Sequence, residues 1–534
     1  MLDYLEDLGV TVIYILPFME SPMGDVGFDV SNPREVRHSL GGMAAFKRFS
    51  AAAHKRGIKI KADLVLNHLS EEHEWFQDAL AGDIAKLDNF IVTKTAPKYQ
   101  RRFDEERGYV IDYKEDDGTI TSRRLVFPEI CESQYRKVTI DDADYYLYHM
   151  FYPFQLDVNW KNPNVLYYML DVVGHWANNG VDIFRFDAIA YFIKEKGHNG
   201  ENHPKTHDVV KIVNAFVESV APSSVLLAEA CQRPNDILPY FGEERPGSSR
   251  TDEVQMAYHF PYMPAVWYAL VTGDSSAFWE THNDTPEIPE NASWATLLRI
   301  HDELSLEMPE APIRKALYDA LSPKGVAFRQ GYGIGGRMAD FLDNDPRRIS
   351  QAFAVLLSLP GMPIIYYGDE IGARNNWEYA YASAEVRKKI MDSGDIESLS
   401  SFDGRDINRG PIAKEAFYGA KDNNAIYDNI KKLIAARKGS KALTRGECIE
   451  ARPDDTKAIF SYVRTFEEES VFVVHNLSDE TVTTKVSLPQ EYIHEGPFYD
   501  IATDEEVAIA AENGIVEVTL GPYSSIWTNA SNLH

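Results

Sequence analysis

Cysteine is scarce. Cys131, Cys231 and Cys448 are the only three in 534 residues, widely spaced and odd in number. That argues against a disulfide framework or a zinc cluster and fits the reduced thiols of a cytoplasmic protein. Positive charge is short as well: 54 Lys and Arg stand against 82 Asp and Glu, a formal net charge of −28. Such a chain repels phosphate backbones and anionic headgroups. No local basic run offsets this, so neither a nucleic-acid partner nor a membrane partner is expected. Long apolar runs are also missing, because the stretch 352–368 is broken by Pro360, Gly361 and Pro363 and is too interrupted to span a bilayer. The first residues, Met1-Leu2-Asp3-Tyr4-Leu5-Glu6-Asp7, carry acids where an export signal needs a basic region. What is present is ordinary for a folded protein. With 44% hydrophobic and 12% aromatic residues, the length suits one large core and one or two smaller domains.

Short β-branched and aromatic runs at 10–17, 58–66, 181–186, 224–228, 255–260, 294–300 and 363–367 alternate with amphipathic stretches such as 42–56 and 165–178. This is the pattern of repeated β-α units. Seven units fall one short of a closed barrel. The expected fold is therefore α/β, a (β/α)8 TIM-type barrel lacking its first strand, with the missing unit upstream of Met1. Residues 70–163 are too many for a crossover helix and read as an inserted subdomain after the third strand of the complete barrel. A hairpin over 109–126 centres there on Asp116-Asp117-Gly118. From 441 onward, the runs 458–464, 471–476, 481–488 and 515–520 alternate without helices, as in an antiparallel β-sandwich. The predicted domains are residues 1–69 with 164–440 for the barrel, 70–163 for the insertion and 441–534 for the C-terminal β domain. The aromatics Tyr145, Tyr146, Tyr148, Phe151, Tyr152 and Phe154 read as core packing rather than a sugar platform.

In a parallel barrel the reacting groups gather at the carboxyl ends of strands, and four clusters meet that condition. Arg185 and Asp187 close the run Val181-Asp182-Ile183-Phe184-Arg185-Phe186-Asp187, two apart and on one face. The guanidinium favours the ionised carboxylate that a nucleophile requires; alone, the pair reads rather as a buried structural ion pair. Glu229 follows an apolar run and is flanked by Ala228 and Ala230, which suits a proton donor; alone, it reads as a helix cap or rim acid. His301 with Asp302 and Asn67 with His68 end two further runs, and a single such His is commonly structural. Together, three carboxylates and two histidines at four strand ends are the equipment of retaining glycoside hydrolysis.

At these clusters, Asp63-Leu64-Val65-Leu66-Asn67-His68, Phe184-Arg185-Phe186-Asp187-Ala188, Ala228-Glu229-Ala230 and Ile300-His301-Asp302, the chain resembles the α-amylase superfamily, glycoside hydrolase family 13. The resemblance implies Asp187 as nucleophile, Glu229 as general acid/base and Asp302 as the carboxylate that holds sugar hydroxyls in the transition state. Arg185, His68 and His301 would bind the same glucosyl unit. Within the family the likeness is to the maltose glucosylmutase branch, through stretches such as Glu201-Asn202-His203-Pro204-Lys205-Thr206-His207 and Leu298-Arg299-Ile300-His301-Asp302-Glu303-Leu304. Gly27-Phe28-Asp29 and Arg405-Asp406-Ile407-Asn408-Arg409 resemble the pocket-closing pair of exo-acting members, which implies an Asp29–Arg409 bridge behind the terminal glucose and a stacking face on Phe28.

The chain also departs from the pattern. Lys194 stands where that branch carries a calcium-ligating Glu, so no metal is expected there and no cofactor is implied. Ile300 replaces a usual Asn, and residues 95–138 and 377–402 match poorly. Three readings stay open: a transglucosylase or isomerase of maltose-type disaccharides, an exo-acting α-glucosidase, and a non-catalytic relative. The partner expected in the first two is a small-molecule α-glucoside.

Overall fold

The computed structural model describes all residues except 246–249, 455–456, 489–491, 493–496, 513 and 531–534. Helix α1 (Leu2–Leu8) ends at Gly9 in the left-handed region, φ 93°, a conformation that glycine adopts without a Cβ penalty. It leads directly into strand β1 (Val12–Ile15). Six more strands follow, each after a helical crossover: β2 (Lys59–Val65), β3 (Ile183–Asp187), β4 (Val225–Ala228), β5 (Met256–Tyr258), β6 (Ser293–Leu297) and β7 (Met362–Ile364). They form one sheet in sequence order, with every neighbouring pair parallel. Among the described residues β1 and β7 each pair on one side only, and both are only half-buried while β3 is buried throughout. The shortfall of one strand is thus visible as two open edges.

Helices α2 (Gly42–Lys55), α3 (Pro163–Asn178), α4 (Pro204–Val220), α5 (Tyr262–Thr272) and α6 (Pro346–Ser358) are among the crossovers. α6 has Pro346 in its first turn, and the Asp345 carboxylate accepts from the Arg347 N–H at 2.9 Å, an N-terminal cap that fixes where the helix begins. Its Ile349, Phe353, Val355 and Leu356 are buried in the barrel core.

After β2 the chain leaves the barrel and returns through Gln155–Asp157, which pairs antiparallel with His68–Ser70. Between them lie the three-stranded sheet of Lys98–Asp104, Gly108–Lys114 and Ile120–Arg124 and a second sheet built on Tyr135–Ile140 and Ala143–Tyr148. The predicted hairpin turns at Gly118, φ 87°. Tyr148, Tyr152 and Phe154 are buried, as a packing role requires, but Phe151 is half-buried and lines the pocket described below.

The C-terminal region opens with a short helix, Lys441–Arg445, where an uninterrupted strand pattern was expected. Ser440 caps it, its Oγ accepting from the Leu443 N–H at 3.1 Å, a local signal that outweighs the surrounding alternation. Two four-stranded antiparallel sheets follow. Val463, Phe472, Val474, Val486, Val516 and Val518 form one buried cluster, as expected where two sheets pack face to face. Phe460, Tyr462 and Trp527 join the barrel core instead, and the Ser358 and Tyr462 hydroxyls meet at 2.6 Å.

Candidate active site

The carboxyl ends of β2, β3, β4 and β6 converge on a pocket of about 850 Å³, counting space open to solvent. Phe28, His68, Asp187, Glu229, His301, Asp302 and Arg409 all line it. Arg185 lies underneath, buried. Its Nη1 donates to Asp187 Oδ1 at 2.9 Å and also to Asp63, while Nη2 stands 3.7 Å from Glu229 Oε1. One guanidinium is therefore shared among three carboxylates. Burial pushes the Asp187 carboxyl well above the usual range; Arg185 pulls it down, and Glu229 and Asp63 push it up again. The favouring effect of Arg185 on the ionised carboxylate is present, but burial and the two neighbouring acids oppose it.

The chain leaves β3 through Ala188, which adopts φ 53° and ψ 35°, uncommon for a residue with a Cβ. This turn aims the Ala188 N–H at Glu229 Oε2, 2.8 Å away. It fixes the second carboxylate beside the first.

On the opposite wall Asp302 is held by cations. Its Oδ1 accepts from Arg405 Nη1 and Arg409 Nη2, each at 3.1 Å, and its Oδ2 lies 3.0 Å from His301 Nε2. Burial opposes ionisation of Asp302, but His301, Arg405 and Arg409 overcome it and keep the carboxyl well below its usual range. His301 also stacks on Phe28, with ring centroids 5.1 Å apart and an interplanar angle of 18°. Burial lowers the pKa of His68. Its Nε2 lies 3.1 Å from the Phe28 carbonyl and its Nδ1 is 3.3 Å from Asn67 Nδ2, a pattern that assigns the proton to Nε2.

The closed end of the pocket differs from expectation. Arg409 does not reach Asp29; its Nη1 stands 3.5 Å from Asp25 Oδ1. Asp29 is fully buried and accepts from Ser21 Oγ at 2.8 Å and from the N–H groups of Gly24 at 2.7 Å and Asp25 at 3.1 Å. Burial and the Asp25 charge push its carboxyl up to about 6. The tight turn through Gly27, φ 101°, where a Cβ would lie 2.4 Å from the Pro17 carbonyl, turns Asp29 onto the backbone and leaves Asp25 facing the pocket. Two acids in one short loop gave the sequence no means of choosing between them.

The outer wall is built from residues the sequence reading did not single out: Phe127, Tyr191, Glu303, Glu307 and Arg329. Arg124, on the third strand of the inserted sheet, donates to Glu307 Oε2 at 2.6 Å and to Glu201 Oε2 at 2.7 Å. Arg329 closes on Glu307 from the other side. Arg329 and Gln330 are consecutive non-glycine residues in the left-handed region, φ 51° and 52°. The only signal in the sequence was the length of the run after His301.

Lys194 is buried. Its ammonium donates to Asn67 Oδ1 at 2.6 Å and meets Asp157. A positive group thus already stands among the oxygens a divalent cation would use, and the residues do not fit calcium there. Among the described residues no group of three or more His, Cys, Asp or Glu is arranged for a metal, and no helix is long and apolar enough to cross a membrane.

A parallel β/α barrel that gathers three carboxylates over one pocket at its strand ends has the architecture of the glycoside-active barrels. The chain belongs to the α-amylase family: the family description "Alpha amylase, catalytic domain" matches residues 1–306 and 335–446. "Alpha-amylase SusG C-terminal domain" matches residues 459–526. Trehalose synthase/amylase TreS of Mycobacterium tuberculosis is 38% identical over 372 residues, covering 70% of this chain and 57% of that protein. Trehalose synthase of Thermus thermophilus is 32% identical over 541 residues, covering 98% of this chain and 51% of that protein. The chain therefore spans a little over half the length of these curated relatives. Among solved structures, isomaltulose synthase from Klebsiella sp. LX3 superposes with a TM-score of 0.68 at 19% identity, covering 99% of this chain and 93% of that one.

Proposed function

We propose that this chain is a retaining α-glucoside-active enzyme that acts as an isomerase or transglucosylase on maltose-type disaccharides. One observation carries the reading: Asp187, Glu229 and Asp302 line a single pocket whose far end is closed by Arg405, Arg409 and Asp25. A pocket closed at that end admits one terminal glucosyl unit. Asp187 attacks its anomeric carbon while Glu229 protonates the departing oxygen. The resulting β-glucosyl ester on Asp187 is then opened with Glu229 as base, and net configuration is retained. Asp302, held ionised, receives sugar hydroxyls as positive charge develops on the ring. Phe28, His68, His301 and Arg409 hold the glucosyl unit, Arg185 acts from beneath through the carboxylates it contacts, and Asp29 acts one step removed by fixing the loop that carries Asp25.

The acceptor decides the product. Likeness to trehalose synthases supports a retained sugar as acceptor, and so does the charged outer wall of Arg124, Glu307 and Arg329, which can hold a released glucose and exclude water. Three widely spaced cysteines, an odd number, support a cytoplasmic location. The test is a side-by-side product analysis on maltose, sucrose, trehalose and isomaltose. A rearranged disaccharide from maltose is expected; free glucose alone would leave an α-glucosidase.

A further inference from the structure

Lys61 is buried in the barrel interior, 1% exposed, on β2 two residues before Asp63 and so on the same face. Its Nζ has one hydrogen-bond acceptor, the Tyr258 hydroxyl on β5 at 2.8 Å. It also lies over the Tyr14 ring on β1 at 4.1 Å and the Tyr258 ring at 4.9 Å. No carboxylate stands within ion-pair distance of it among the described residues. A buried ammonium is costly to keep where an apolar side chain would fill the space, and nothing above gives it a task.

Its neighbours supply one. The groups facing this part of the interior are Asp63 on β2, Tyr14 on β1, Arg185 and Asp187 on β3, Glu229 after β4, Tyr258 on β5 and His301 after β6. Asp63 is fully buried and held by the Tyr14 hydroxyl, 3.0 Å from both its oxygens. It competes with Asp187 for Nη1 of Arg185. With one cation for two buried carboxylates, the deeper acid away from the sugar would take most of the guanidinium.

We propose that Lys61 is a positioning residue for the catalytic pair: anchored on Tyr258, its ammonium offsets the charge of Asp63 and repels Arg185, so that the guanidinium bears on Asp187. This rests on the proposed role of Asp187. Burial and the Arg185 charge lower the Lys61 ammonium to about 7 against the pull of Asp63, so the support is full in acid solution, about half present near neutrality and lost as the pH rises further.

Lys61→Met tests it, since methionine fills the space without the charge. With an aryl α-glucoside, the acid limb of the kcat profile should move up by roughly one pH unit, a fall of about tenfold in kcat at any pH well down that limb, with KM within about twofold of the native value. A profile coincident with the native one overturns the proposal. Should this variant not fold, Tyr258→Phe, which removes the anchor, carries the same two outcomes.

Unfolding midpoints give a readout without activity. A Lys held near 7 when folded and near 10.5 when unfolded makes the folded state gain stability across that window. The native midpoint should therefore rise relative to that of Lys61→Met between pH 7 and pH 10. A difference independent of pH overturns the fading of that support as the pH rises. A native protein inert on every α-glucoside would instead refute the proposed function and leave this readout to judge Lys61.

Discussion

The inner and outer walls of the pocket were built by different rules. The inner wall comes from the ends of β2, β3, β4 and β6, where backbone pairing fixes each side chain: Arg185 lies opposite Asp63 in the β3–β2 register and opposite Leu227 in the β3–β4 register. The outer wall comes from the inserted sheet, whose third strand carries Arg124, and from the loop after His301, with Glu307 held between Arg124 and Arg329. Strand ends are rigid and repeat a spacing, and under the proposed function they set which atoms react. Loops are free to vary, and on the same proposal they set which acceptor is kept.

The largest expected effect breaks the inner wall. Asp187→Asn should lower kcat on an aryl α-glucoside by roughly 10⁴-fold or more, since no neighbouring acid stands in its place; steady-state rates check it. Arg409→Lys should cost about 100-fold in kcat/KM, because a lysine cannot hold Asp302 and the Asp25 side together. Lys194→Met sits where the two regions join. It leaves Asp157 buried without its cation, with only the Met150 N–H and Asn67 as donors, at a cost of about 3 kcal/mol, seen as a lower unfolding midpoint, and releases Asn67 and His68, seen as a loss of about tenfold in kcat. The smallest effect belongs to the outer wall. Glu307→Gln should change the rate on an aryl glucoside by less than about threefold, yet raise the share of free glucose from maltose several-fold by loosening the Arg124 and Arg329 contacts; product ratios by chromatography check it.

The same contrast explains what the sequence made legible. Seven strands and the four clusters at their ends could be read because periodicity and position encode them together. Asp25 could not be separated from Asp29, because the choice depends on the turn at Gly27 and on backbone N–H groups that capture one acid. Arg124 and Glu307 are 183 residues apart, and only the packing of the inserted sheet against the barrel brings them together. The opposing influences on Asp187 are legible only in part for a related reason. Its partner Arg185 is two residues away in the chain, but the competing Asp63 arrives from another strand.

The most direct test of the central claim is to trap the covalent step. Glu229→Gln, which slows release of the glucosyl unit, is mixed with α-glucosyl fluoride, quenched in acid, digested and analysed by mass spectrometry. A hexosyl adduct on the peptide containing Asp187 is the predicted result. An adduct on another residue, or turnover without any adduct and with inverted product, would contradict the account.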